Sequence, residues 1–196
     1  MSVTLLEKYL PPQSLPYLKD WFGSHRIHIK ITRGRSTKLG DYRKMQDGSH
    51  QITLNSTLQP HLFFFVLTHE LAHLIAFDRF AGRITAHGTE WKKIFGEMLQ
   101  DSISVYAEDL QPIIFRFSQS PKASFMASPE LVRYFHIEDY EDESSYVDDL
   151  GLQDRFIYRK KTYIIEQKLK KNYICVELET GKKYIFKPLA RVQKIS

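Results

Sequence analysis

Alternating apolar and polar residues predict a mixture of helices and strands in the first part of the chain. Residues 5–10 predict a short helical start, and residues 15–22 predict an amphipathic helix. Residues 27–31 alternate with period two, which is typical of a half-buried strand. Residues 52–54 predict the strand that returns beside it, with a polar, basic segment (residues 33–44) in between.

The longest apolar stretch, residues 62–77, is apolar on nearly every face and predicts a buried helix. It nevertheless carries His69, Glu70 and His73. Helical residues four apart share a face, with Cβ atoms about 5–6 Å apart. His69 and His73 can therefore both reach one ion, while Glu70 points to its side.

This spacing is the H-E-x-x-H pattern, in which two imidazoles hold zinc and the glutamate acts as general base. Burying two imidazoles and a carboxylate without partners costs several kcal/mol, because each group gives up its water. The apolar context therefore favours a metal site over a plain core helix. We predict one catalytic Zn²⁺, with Glu70 as the catalytic residue.

A catalytic zinc ion needs a third protein ligand and an open fourth position. The metzincin arrangement would place a histidine six residues after His73, where this chain has Arg79, so that subclass is excluded. His87 follows a polar loop and precedes a second predicted helix, from about residue 89 to residue 100. We favour His87 as the third ligand, with Glu90 and Glu97 as the alternatives.

Together these residues resemble the SprT-like zinc metalloproteases, the Spartan-related family. The likeness rests on His69-Glu70-Leu71-Ala72-His73, on His87-Gly88-x-x-Trp91 and on Met98. Upstream, the amphipathic helix, the basic strand, the turn near Asp47-Gly48 and the strand Ile52-Thr53-Leu54-Asn55 also match. The resemblance covers roughly residues 5–115.

The resemblance implies that His69, His73 and His87 bind zinc and that Glu70 is the base. It also implies a zincin-like minimal metalloprotease domain, made of helices and a small antiparallel sheet. Spartan-type members cleave proteins crosslinked to DNA, and DNA binding switches on their proteolysis. Many members also carry a zinc ribbon built from cysteines, which this chain cannot assemble because Cys175 is its only cysteine.

Charge divides the chain into three parts. Residues 1–120 carry 14 basic and 11 acidic side chains, residues 121–154 carry 2 and 9, and residues 155–196 carry 12 and 3. Such segregation indicates an acidic connector between two basic units. We therefore predict a metalloprotease domain at residues 1–118, an acidic linker with a short helix at 119–154, and a basic β module at 155–196.

The last 42 residues predict a small antiparallel β module, because short alternating strands are joined by turn residues. Its position and strand pattern look like the family's zinc ribbon without cysteines. Basic residues interleaved with aromatic residues suit a nucleic-acid surface. The candidate contacts are Arg33, Arg35, Lys38, Arg43 and Lys44 in the first part, and Lys160, Lys161, Lys170, Lys171, Lys182 and Lys183 in the β module.

Composition is that of an ordinary globular protein, with 42% hydrophobic and 26% charged residues. The N-terminus lacks the basic start and apolar core of a signal peptide, so we expect none. The longest unbroken apolar run is residues 62–67, which is too short to cross a membrane. With a single cysteine, the chain fits a reducing compartment. We predict a cytoplasmic monomer with no membrane partner.

The sequence therefore predicts an α+β protein: a zincin-like domain followed by a small antiparallel β module. The favoured function is a zinc-dependent endopeptidase that acts on DNA-associated or DNA-crosslinked proteins, so its partners are a protein or peptide substrate and DNA. Two alternatives stay open at this point. One is a non-catalytic nucleic-acid-binding protein with a structural zinc, and the other is a metallopeptidase with no link to DNA.

Overall fold

The computed structural model describes residues 3–33, 38–81, 83–124, 127–137 and 144–195, and it divides into two compact units. The first unit spans residues 1–131 and the second spans residues 132–196. Each unit has its own sheet, so the α+β class predicted from the sequence is confirmed. The three domain ranges predicted from charge stay predictions.

The first unit combines helices with a small sheet. A 3-10 helix at Val3–Tyr9 and a shorter one at Pro12–Ser14 precede the regular elements. The helices are α1 (Leu15–Phe22), α2 (Pro60–Phe80), α3 (Thr89–Asp101), α4 (Gln111–Ser118) and α5 (Pro129–Ile137), which continues into the second unit. The strands are β1 (Ile27–Thr32), β2 (Gly40–Lys44) and β3 (His50–Asn55).

Helix α2 is the centre of this unit, as the sequence predicts. Its residues from Leu62 to Thr68 are all buried, and so are Leu71, Ala72 and Leu74. Neighbouring aromatic residues cover several faces of the helix: Trp21 of α1 stacks on Phe64, and Phe95 of α3 meets Phe65 edge to face. The helix that carries the candidate site is therefore also the core of the unit.

The sheet has the strand order β1-β3-β2, and β3 lies in its middle. Strands β1 and β3 run parallel, whereas β2 and β3 run antiparallel. The first sheet is therefore mixed, and the simple hairpin of residues 27–31 with 52–54 expected from the sequence is wrong. The polar segment expected between them supplies β2, which is the antiparallel partner of β3.

Helices α3 and α4 complete the core of the first unit. Trp91, Ile94, Phe95, Met98 and Leu99 form the buried face of α3, as their spacing predicts. Gly96 lies at the contact between the two helices, where a Cβ atom would come 2.5 Å from the carbonyl oxygen of Ser118. A glycine at this position lets the two helices approach each other closely.

The second unit is a six-stranded antiparallel sheet with the order β4-β9-β5-β6-β7-β8. Its strands are β4 (Ser144–Tyr146), β5 (Arg155–Tyr158), β6 (Lys161–Lys168), β7 (Tyr173–Glu177), β8 (Lys183–Phe186) and β9 (Arg191–Ile195). The antiparallel module predicted for residues 155–196 is present, and β4 extends it beyond that range by pairing with β9. Its likeness to a zinc ribbon stays a prediction.

Part of the segment predicted as an acidic linker belongs to the core of this sheet. Val147 and Leu150 are buried together with Phe156, Tyr163, Tyr173 and other members of the cluster. Asp148 accepts hydrogen bonds from the Tyr173 hydroxyl (2.6 Å) and from Lys168 (3.1 Å). The most acidic stretch, residues 138–143, lies outside the described residues.

Helix α2 also has the length and hydropathy of a membrane-crossing helix, with 21 residues and a mean hydropathy of 1.3. However, 67% of its most apolar window is buried inside the protein. Length and composition alone are weak evidence for a membrane segment, since core helices share both.

Candidate metal centre

Three imidazoles converge in the first unit. His69 and His73 lie one turn apart on α2, and His87 returns from the loop that precedes α3. The Nε2 atom of His87 lies 3.2 Å from Nε2 of His69 and 3.0 Å from Nε2 of His73. The structure thus brings together the three residues that the sequence proposes as ligands, as a group that can hold a metal ion.

The backbone at His87 adopts an unusual conformation. Its φ angle is +59°, in the left-handed region that few residues other than glycine adopt. A turn in which the Gly88 amide donates to the Thr85 carbonyl (2.9 Å) holds this conformation, and α3 begins directly afterwards. Such strain persists where the surroundings fix it, and it concentrates at functional sites.

The three imidazoles are held in the neutral form that a metal ion requires. Burial lowers the pKa of His69 to about 3, helped by the neighbouring His73 and His87. Burial and His87 lower the pKa of His73 to about 4. Burial, with a contribution from Lys92, also lowers the pKa of His87.

This donor set fits zinc. Zinc–nitrogen bonds of about 2.0–2.1 Å in a tetrahedral site place the nitrogen ligands about 3.3–3.4 Å apart. The two Nε2 separations in the structure, 3.2 and 3.0 Å, are close to that value. A hydrogen bond uses one proton for each contact, whereas a cation accepts all three lone pairs at once. The arrangement therefore suits a metal ion better than a hydrogen-bonded histidine cluster.

Trp91 packs against all three imidazoles. Its ring lies 4.7 Å from the ring of His69, 5.2 Å from that of His73 and 4.6 Å from that of His87, measured between centroids. The side chain is fully buried, and its Nε1 has no hydrogen-bond partner among the described residues. Packing alone therefore fixes Trp91, which in turn supports the triad.

The other two candidate ligands are placed differently. Glu97 is exposed and lies 4.0 Å from Lys93, one turn earlier on α3. Glu90 lies in the first turn of α3, close to the backbone of Gly88. Neither glutamate joins the histidine cluster, so the geometry favours His87 as the third ligand.

Strand β2 runs along the same face of α2. Its residues facing the helix meet successive turns: Gly40 lies against Glu70, Tyr42 stacks on His73 with an interplanar angle of 8°, and Lys44 lies over the ring of Phe77. The pattern of apolar residues in the sequence does not predict this strand or the role of Tyr42. Glu70 itself is 7% exposed, directly beside the triad.

A polar chain anchors Tyr42. Its hydroxyl lies 3.0 Å from Nδ1 of His50, and the ammonium of Lys44 lies 3.1 Å from Nε2 of the same ring. An ammonium group can only donate, so Nε2 of His50 accepts and its Nδ1–H donates to Tyr42. This assignment requires neutral His50, and burial together with Lys44 and His25 does lower the pKa of that imidazole. Burial, reinforced by Asp78, raises the pKa of Tyr42 to about 12.

Several basic residues proposed as nucleic-acid contacts in the first unit have partners within the protein. Lys38 and Arg43 both bind Asp41, at 2.9 and 2.8 Å. Lys44 donates to His50 and to the carbonyl of Gly48. Arg33 is exposed, and Arg35 lies outside the described residues.

Among the basic residues proposed as contacts in the second unit, some also have partners within the protein and others are exposed. Lys161 binds the buried carboxylate of Glu177, and Lys183 binds Glu166, both at 2.7 Å. The others are exposed, with no ion pair recorded in the described part of the chain: Lys160, Lys170, Lys171 and Lys182. Four of the six aromatic residues in this region are buried, which removes most of them as stacking platforms: Phe156, Tyr163, Tyr173 and Phe186.

Comparison with known proteins supports the resemblance seen in the sequence. A model of the SprT-like family matches residues 16–108, the region that contains β2, α2 and α3. No curated protein and no solved structure gives a match. The family match spans the triad, Glu70 and Trp91, so this region of the chain is similar to the SprT-like family, which points to a function of the metalloprotease type.

Proposed function

We propose that the protein is a zinc-dependent endopeptidase in which His69, His73 and His87 hold the metal ion and Glu70 is the catalytic base. The observation that carries this proposal is the convergence of three Nε2 atoms beside a buried carboxylate on the same helix. Within the described residues the cluster has three members, and a tetrahedral ion then keeps a fourth position for a small molecule.

A bound zinc ion would supply the Lewis acidity that lowers the pKa of a water molecule and polarises the substrate carbonyl. Glu70 takes a proton from the attacking water on a carboxylate oxygen. It then delivers this proton to the leaving nitrogen as the peptide C–N bond breaks. Trp91 and the wall formed by β2 hold the imidazoles and Glu70 in place during both transfers.

Strand β2 also offers a way to bind the substrate. Among the described residues it pairs with β3 alone, so its other edge has backbone groups available for an extended peptide. Because β2 lies along α2, a peptide added there would pass beside Glu70 and the triad. We therefore expect the substrate to be an unfolded or extended segment of a protein.

Substitution of Glu70 tests the mechanism. Glu70→Gln removes the base and leaves the three imidazoles intact, so zinc content should stay at one ion per chain while cleavage of a peptide or an unfolded protein is lost. Asp101→Asn, at the exposed end of α3, is a control that should cleave normally. Undiminished cleavage by zinc-loaded Glu70→Gln would rule the mechanism out.

We extend the proposal to substrates associated with DNA or crosslinked to it, and to an intracellular site of action. The support is the family resemblance and the exposed lysines of the second unit, Lys170 and Lys171 between β6 and β7 and Lys182 between β7 and β8. Each lysine that contacts a phosphate contributes about 0.9 to the slope of log K against log salt.

The DNA proposal is tested by measuring affinity for duplex and single-stranded DNA across salt concentrations. Replacing both Lys170 and Lys171 by Gln should lower the slope by about two. Lys93→Gln, an exposed lysine of α3, is the matched control and should leave the slope unchanged. A flat salt response of the unmodified protein would favour a peptidase with no link to DNA.

The remaining candidate is a nucleic-acid-binding protein whose zinc only supports the fold. A structural zinc normally closes with a fourth protein ligand. The crystal structure of the zinc-loaded protein distinguishes the two cases. Three nitrogens and one exchangeable oxygen support the peptidase, whereas a protein carboxylate or sulfur in the fourth position supports the structural role.

A further inference from the structure

Gly40 lies against the catalytic base with no room for a side chain. A Cβ atom at this position would come 2.6 Å from Oε1 of Glu70, 3.0 Å from its Cγ and 2.7 Å from Cγ1 of Val66. Real Cβ atoms essentially never approach other heavy atoms within 3.0 Å. The bare backbone of β2 therefore lies in direct contact with the carboxylate.

Strand β2 has little freedom to retreat from this contact. It pairs with β3 along its whole length, from Gly40 opposite Leu54 to Lys44 opposite His50. Just before the strand, Asn55 holds the chain through two hydrogen bonds of 3.0 Å each, from its backbone amide to Leu39 and from its side chain to Lys38. In the middle of the strand, the Tyr42 side chain is hydrogen-bonded to the buried His50.

The neighbours on α2 differ in their freedom to move. Val66 is buried, and its branched side chain is stiff about χ1. Glu70 has more rotatable bonds, so it is the group that would yield to an added methyl group. A side chain at position 40 would therefore change the direction of the carboxylate, and its 2.7 Å contact with Val66 would have to be relieved separately.

We propose that Gly40 is a positioning residue: because position 40 has no side chain, the Glu70 carboxylate can lie against β2 in the orientation needed for proton transfer. This inference rests on the proposed peptidase function. Displacing a reacting group by about 1 Å can lower a rate by roughly 10²-fold, because the aligned geometry is lost. A methyl group at position 40 requires a displacement of that order.

The first test is Gly40→Ala with Gly151→Ala as the control, since a Cβ atom at Gly151 meets only Asp154, at 3.8 and 4.0 Å. For Gly40→Ala we expect kcat for an unfolded protein substrate to fall by roughly 10²-fold. KM should stay within about twofold, and the protein should still bind one zinc ion. Gly151→Ala should match the unmodified protein in all three measurements. An unchanged kcat in Gly40→Ala would overturn the inference.

A second test separates positioning from mere strain. Adding Val66→Ala to Gly40→Ala removes the contact with Val66 and leaves the contact with Glu70. If Gly40 acts through Glu70, kcat stays low; if the loss comes from packing strain on α2, Val66→Ala restores it and the inference fails. A double-mutant cycle combines Gly40→Ala with Glu70→Asp. The double variant should lose much less kcat than the product of the two single fold-losses.

A readout independent of activity is the crystal structure of zinc-loaded Gly40→Ala. We expect a displaced Glu70 carboxylate and an unmoved His69, His73 and His87 triad. If the unmodified protein cleaves nothing while the carboxylate moves as expected, the proposed function fails and the positioning role stands. If the carboxylate keeps its place, the positioning role fails whatever the activity.

Discussion

Trp91 touches every imidazole of the triad, so one side chain reports on the whole centre. The chain has two tryptophans, and the other, Trp21 of α1, stacks on Phe64 of α2. We expect zinc binding to change the intrinsic fluorescence through Trp91. The change should disappear in Trp91→Phe and persist in Trp21→Phe, measured by titrating zinc into the metal-free protein.

Trp91→Phe should also weaken the site, because a smaller ring leaves space beside the imidazoles. A loss of roughly 10-fold in zinc affinity is expected, as for residues that support metal ligands. Competition with a chelator of known affinity measures it. Equal affinities of Trp91→Phe and Trp21→Phe would show that the triad does not depend on Trp91.

The turn between β5 and β6 is strained at two residues. Arg159 and Lys160 have φ angles of +50° and +65°, in a two-residue turn where Asn-Gly is favoured. Lys160→Gly should therefore stabilise the second unit by about 1 kcal/mol. Lys171→Gly removes the same charge at a turn residue without positive φ, so it should stabilise nothing. Chemical denaturation of the two variants measures whether only Lys160→Gly raises the free energy of unfolding.

At the scale of the elements, apolar periodicity was enough to predict α2, α3 and most strands of the second unit, because burial and periodicity coincide there. Strand β2 could not be predicted. Among its residues, Gly-Asp-Tyr-Arg-Lys, only Tyr42 carries a large apolar ring, and the strand forms because β3 and α2 supply partners from distant sequence. Strand β9 could not be predicted for the same reason, since its partners β4 and β5 come from earlier in the chain. The His69–His73 pair follows from helical spacing, whereas the approach of Gly40 to Glu70 depends on the missed strand.

The α3–α4 contact gives a prediction at this scale. Gly96→Ala improves helix propensity by about 1 kcal/mol. However, its methyl group would meet a backbone oxygen that cannot rotate away. We expect a net loss of about 1–3 kcal/mol in the free energy of unfolding, as for overpacked cores. Glu97→Ala, at the exposed position next to it, should change stability by less than about 0.5 kcal/mol, and thermal denaturation distinguishes the two.

At the scale of the whole molecule, the two compact units give different responses to metal. The triad lies in the first unit, and the second unit has its own core around Phe156 and Tyr163. A ligand that binds only the folded state stabilises it by about 4 kcal/mol when its free concentration is 1,000 times Kd. Zinc should therefore raise the stability of the first unit alone.

Calorimetry with and without a chelator measures this selectivity. We expect the chelator to lower the midpoint temperature of one unfolding transition and to leave that of the other unchanged. Phe156→Ala should do the opposite, lowering only the transition that the chelator does not affect. A single transition that moves as a whole in both experiments would show that the units unfold together.

The double role of α2, as the centre of the core and the carrier of two metal ligands, has a consequence for the order of events in folding. Its ligands can meet His87 only after α3 has packed against it, so the ion has no assembled site in the early stages of folding. Zinc should then slow unfolding and leave the refolding rate nearly unchanged, as for contacts that form after the transition state. The ion would stabilise the native state only after the apolar face of α2 has assembled the fold.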